Sequence, residues 1–101
     1  MKLILCVKCS DVFKLSDEKY KTCDCGMSGG EYVNTIDAEV SGPCIVLGFS
    51  NHSLLQAIRL QTSNGDRMDK QGREFDAFII PECAPSVKRL DEIDVYKDFR
   101  K

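Results

Sequence analysis

This chain of 101 residues has one histidine, no long apolar run and no strong excess of either charge. Each of these absences removes a class of function. No Ser-His-Asp order accompanies His52, and no G-x-S-x-G elbow, Walker sequence or G-x-G-x-x-G loop is present, so no familiar catalytic or nucleotide-cradling arrangement stands out. The 16 acidic residues allow many carboxylate pairs, but spacing singles out none of them. The chain is therefore read as non-enzymatic, with no catalytic residue assigned. No apolar run approaches the roughly 20 residues that cross a bilayer. The start, MKLILCVKC, runs straight into cysteines after an apolar stretch too short for a secretory signal. The expectation is a cytoplasmic, reducing compartment with no membrane partner. A net charge of -2 and a pI near 5.3 argue against broad affinity for nucleic acid. There is no internal repeat and no low-complexity tract.

Thiols, by contrast, are plentiful. Four of the six cysteines fall within residues 6–26. Cys6 and Cys9 form C-x2-C, and Cys23 and Cys25 form C-x-C followed at once by Gly26. In a reducing compartment two tight pairs favour a metal over disulfides. The alternatives are a pair of disulfides, or the same scaffold without metal. Zinc takes four soft ligands in a tetrahedron, and Gly26 supplies the left-handed residue that a turn around the ion often requires. The stretch between the pairs reads as a β-hairpin: out over DVFKL, a turn at SDEK, back over YKTC. A site closed by four thiolates leaves no position for water, so its role is structural.

Residues 1–34 resemble a zinc ribbon, which implies Cys6, Cys9, Cys23 and Cys25 as ligands of a structural Zn2+. The second knuckle departs from the ribbon pattern, with C-x-C-G where C-x2-C-G is usual. The layout MKLILCVKCSDVFKL, TCDCGMSGGEY, EVSGPCIVLGF and FDAFIIPE is also similar to a family of uncharacterised small bacterial and phage proteins. That family has no established activity and supplies no catalytic residue. For a phage-encoded member the resemblance places the protein in the host cytoplasm and makes sequestration of a small molecule conceivable.

The remainder reads as a small unit with strands on either side of one helix. TIDAEV alternates, with Ile36, Ala38 and Val40 toward one face, as in a half-buried strand. CIVLGF is a continuous apolar run suited to a central strand, EFDAFIIP is another closed by Pro81, and Val87–Leu90 forms a short strand before a loosely held tail. Ser53 with Gln56 matches a capping box, and Asn51 is the competing cap. The predicted helix runs from about Leu54 to Thr62 and stops at Asn64-Gly65. Leu54, Leu55, Ala57 and Ile58 would face the sheet. Leu60 falls on the other side, either as an ordinary exposed leucine or as a subunit contact of a homo-oligomer. Gly26, Gly29 and Gly30 read as a flexible junction, and Cys44 and Cys83 as buried free thiols.

The expected fold class is α+β: an N-terminal zinc-ribbon-like β-hairpin, then a small, mainly antiparallel sheet with one helix. The division is residues 1–34 and 35–101, or one continuous domain. The turn GFSNHS opens the helix, where free N–H groups favour anions. Ser50, Asn51, His52 and Ser53, with Arg67, Lys70 and Arg73 from the loop SNGDRMDKQGRE, are candidates to hold a phosphorylated or nucleotide-like ligand. Caps and solvated loop charges account for the same residues without any ligand. Three functions follow in order: capture of a small anionic ligand, a protein adaptor that docks through the ribbon, and nucleic-acid binding through the ribbon.

Overall fold

The computed structural model describes residues 1–61, 72–81 and 84–97. Thr62, the Asn64-Gly65 stop, most of the polar loop, Cys83 and the last four residues lie outside them. The fold is α+β. In chain order the elements are β1 (Lys2–Cys6), β2 (Val12–Lys14), β3 (Lys21–Thr22), β4 (Gly29–Tyr32), β5 (Ala38–Ser41), β6 (Cys44–Phe49), α1 (Asn51–Gln61), β7 (Ala77–Ile79) and β8 (Val87–Arg89). They build two four-stranded sheets, β2-β1-β6-β7 and β3-β4-β5-β8. Every pairing is antiparallel except β5 with β8. Both sheets draw strands from either side of residue 34.

The core lies between the sheets. Ile4, Cys44 and Val46 enter it from β1 and β6, and Ala38, Val40 and Val87 from β5 and β8, with Leu15 and Ile80 completing it. Ile4 and Val40 are almost fully enclosed, and each such side chain contributes about 1.5–3 kcal/mol of burial. CIVLGF is central as expected, with β1 on one side and β7 on the other.

Several local expectations change. DVFKL and YKTC do not pair with each other. β2 pairs with β1, Ile4 opposite Phe13, while β3 pairs with β4, Thr22 opposite Gly29. The apolar strand KLILC is the longer template, and pairing on it sets Phe13 against the core. Each cysteine pair thus sits at the tip of its own hairpin. Gly29 and Gly30 are buried strand residues, not a flexible junction. A Cβ on Gly29 would lie 2.6 Å from the Tyr20 ring, so the glycine makes room for that ring. Ile36 is 63% exposed. The Asn34 side chain accepts from the N–H groups of Ile36 and Asp37 and holds them in a turn, so the strand starts only at Ala38. EFDAFIIP yields a short edge strand with Phe78 and Ile79 exposed, and only Ile80 enters the core.

The helix begins at Asn51, three residues before the expected start. Ser50 is the cap: its hydroxyl accepts from the Ser53 N–H at 3.2 Å. The Ser53 hydroxyl instead accepts from Asp76 N–H, and Asn51 accepts from the N-terminal amine. Ala57 and Gln61 form the buried line of the helix. Leu55 and Ile58, expected inward, are about half exposed, as is Leu60. No helix among the described residues is long and apolar enough to cross a membrane.

Candidate metal centre

The first knuckle closes where β1 ends. Ser10 N–H donates to the Cys6 carbonyl at 2.8 Å, and Cys6 N–H donates to the Asp11 carbonyl at 2.9 Å. Ser10 takes a left-handed φ of 63°, and the N–H groups of Lys8 and Cys9 point at the Cys6 sulfur. The second knuckle repeats this plan with one residue fewer. Gly26 N–H donates to the Cys23 carbonyl, Cys23 N–H to the Ser28 carbonyl, and Gly26 has φ 77°. Ser28 N–H reaches the Cys23 sulfur at 3.4 Å, and Met27 N–H points at Cys25. In both knuckles the residue after the second cysteine makes the left-handed step. Glycine does so without cost at Gly26, and a serine is bent into it at Ser10.

Two further contacts hold the knuckles together without any metal. The Asp11 carboxylate accepts from Asp24 N–H at 3.1 Å, joining one loop to the other. The β5–β6 turn touches both: Val7 N–H donates to the Pro43 carbonyl, and Gly42 lies against the backbone of Met27 and Ser28. Arg89 and Asp91 fix that turn. Asp91 accepts from Gly42 N–H at 2.6 Å, while Arg89 donates to the carbonyls of Gly42 and Cys44.

The structure brings Cys6, Cys9, Cys23 and Cys25 together, with all four sulfurs within 4.8 Å of one another. Cys6 and Cys25 are 3.7 Å apart, and Cys23 and Cys25 are 3.5 Å apart. A tetrahedron with metal–sulfur bonds of about 2.3 Å has edges of about 3.8 Å. The short C-x-C bite therefore still delivers a compatible donor set. Among the described residues it is the one cluster of metal-ligating side chains. Cys6 and Cys23 are buried and Cys25 is exposed.

The thiols differ in acidity because they share one small volume. Burial pushes Cys6 up, but the Ser28 hydroxyl and the N–H groups of Cys9 and Lys8 outweigh it and lower its pKa. Cys23 is also pushed up by burial, yet Ser28 N–H and the neighbouring thiols bring it down to about 6. At Cys25 the Met27 N–H favours the thiolate, but crowding by Cys23, burial, Cys6 and Cys9 pushes it up to about 12. A divalent cation held by the four sulfurs would favour the thiolate form of each.

Cys44 is a different case. It is buried directly opposite Cys6 in the strand register, with its thiol donating to the Ser41 carbonyl, and burial pushes its pKa up despite nearby Arg89. It is a core thiol, as expected.

The residues around the helix start are only partly gathered. His52, Ser53 and Arg73 line one open depression of about 860 Å³, in company with the carboxylates of Glu74 and Asp76. Ser50 and Asn51 are engaged as described above, and Arg67 and Lys70 lie outside the described residues.

Sequence reasoning missed Ser10, Asp11, Ser28 and Gly42. Ser10 had a local signal, since it follows Cys9 as Gly26 follows Cys25, and Ser28 lies five residues after Cys23. The side-chain bond of Asp11 to Asp24 and the packing of Gly42 on the second knuckle join distant parts of the chain and leave no local signal. Comparison of the chain with protein-family models, with curated proteins and with solved structures gives no match.

Proposed function

We propose that the protein is a non-enzymatic binding module that carries one structural Zn2+ per chain, held by Cys6, Cys9, Cys23 and Cys25. The observation that carries this reading is the convergence of four sulfurs within 4.8 Å from two separate hairpins, with backbone N–H groups pointing at them. A fully buried hydroxyl without a hydrogen-bond partner, Ser28 Oγ, sits beside the cluster and suits an electron-rich thiolate. When bound, the ion would offset half of the charge of four thiolates and pin the two hairpins; with all four positions taken by sulfur it would perform no hydrolysis. Elemental analysis and native mass spectrometry of protein purified without chelator should find one zinc per chain, lost in Cys9→Ser. Iron in its place would keep the site and change its metal. No stoichiometric metal would remove the proposal.

A second role for the same module is capture of a small anionic ligand, supported by His52, Ser53 and Arg73 lining one depression. Glu74 and Asp76 on the same wall weaken it for any multiply charged anion. An amide-NMR titration with inorganic phosphate and a nucleotide panel should shift resonances at 50–53 and Arg73. No shift at millimolar ligand would leave a protein partner for the ribbon as the working function.

A further inference from the structure

Ser28 is about 1% exposed, and its hydroxyl has no hydrogen-bond partner. An orphaned buried hydroxyl costs roughly 1–3 kcal/mol, so it calls for an explanation. Both of its backbone groups are already committed to the second knuckle: the N–H to the Cys23 sulfur, the carbonyl to Cys23 N–H. Its position is fixed from behind as well. Gly42 packs so closely that a Cβ there would meet Ser28 Cα at 2.7 Å. The buried side chain lies beside the cluster, where its hydroxyl favours the thiolate form of Cys6 on the first knuckle.

We propose that the Ser28 hydroxyl donates a hydrogen bond to the Cys6 thiolate of the metal-loaded site, which makes Ser28 a positioning residue joining the two knuckles through the metal's own ligand. The inference rests on the metal reading above. A thiol is a poor acceptor and a metal-bound thiolate a good one, so the bond forms when the site fills. Of the donors that face Cys6, the N–H groups of Lys8 and Cys9 belong to its own knuckle, whereas Ser28 comes from the other. Outer-shell partners of this kind typically alter metal affinity by about 10–100-fold.

The test compares wild type and Ser28→Ala by zinc competition against a chromogenic chelator and by the sulfur-to-metal charge-transfer band of the cobalt-loaded protein. The expected result is a folded Ser28→Ala chain with zinc affinity about tenfold lower or worse and a charge-transfer band at lower energy, because a thiolate without its donor is more electron-rich. Equal affinity and an unmoved band would overturn the inference and leave the metal site standing. Weaker binding with an unmoved band would also overturn it, since that marks a packing role only. A wild type that takes up neither zinc nor cobalt would overturn the metal reading itself. Should Ser28→Ala fail to fold, the wild-type chain loaded with cadmium-113 decides: the Ser28 hydroxyl proton should show scalar coupling to the metal through the Cys6 sulfur, and its absence would refute the bond.

Discussion

Gly42→Ala is expected to damage the proposed metal site, to which Gly42 contributes no ligand. Gly42 has φ 89°, and an added Cβ would lie 1.9 Å from the Met27 carbonyl oxygen and 2.7 Å from Ser28 Cα. The left-handed conformation alone costs alanine roughly 1–2 kcal/mol. The overlap is with backbone, so the turn must move away from the second knuckle. Moving it breaks the Gly42 N–H bond to Asp91 or the Arg89 bond to the Gly42 carbonyl. Each involves a charged group, worth roughly 1.5–3 kcal/mol. The expected loss is about 3–5 kcal/mol, a large share of the roughly 5–15 kcal/mol that holds a domain together. Gly72→Ala is the control: its φ is 69°, and no described residue lies within 4 Å of the added atom. It should cost about 1–2 kcal/mol. Urea unfolding of the zinc-loaded proteins measures both. Gly42→Ala should also bind zinc more weakly, because the Met27–Ser28 backbone carries N–H groups aimed at Cys25 and Cys23. Equal losses for the two variants would refute the claim that the turn braces the knuckle.

Three further outcomes are expected. Zinc removal by chelator should lower the melting temperature of the whole chain, not of a detached segment, because β1 pairs with β6 and β4 with β5; a biphasic melt with an unchanged main transition would contradict this. Burial would raise the Asp91 carboxyl, but N–H groups of Gly42 and Ile93 together with Arg89 hold it below its ordinary value. Its stabilisation is therefore complete above the unfolded value near about 3.9 and is lost as pH falls through the lower folded value. The stability gap between wild type and Asp91→Asn should hold at neutral pH and close in that acid range, as measured by urea melts at each pH. Ser50→Ala should cost about 1 kcal/mol through the lost helix cap, whereas Gln56→Ala, the partner in the capping box read from the sequence, should be close to neutral.

The four-cysteine site was legible because its signal is local. Two thiols only two or three positions apart, each pair ending in a turn, constrain the backbone whatever surrounds them. CIVLGF was legible as a central strand for a related reason: a continuous apolar run must be covered on both faces. Val87–Arg89 was found in nearly its true place. Ser53 misled because S-x-x-Q is only one way to satisfy the first N–H groups. Ser50 does it here, and the Ser53 hydroxyl is taken by Asp76.

Composition and spacing thus determined the α+β class, the thiol cluster's members, the central strand and the helix that follows it, since each depends on residues close together in the chain. Only the tertiary structure decided which strands pair, that each knuckle rides its own hairpin, and that the glycines at 29 and 30 are buried strand positions. It alone brought Asp11 to Asp24, Gly42 to Met27 and Ser28, and Arg89 and Asp91 to Gly42. Those contacts join positions 13 to 49 residues apart. Hydrogen bonds and close backbone approaches over such separations are fixed by how the two sheets pack, and no local pattern of side chains encodes them.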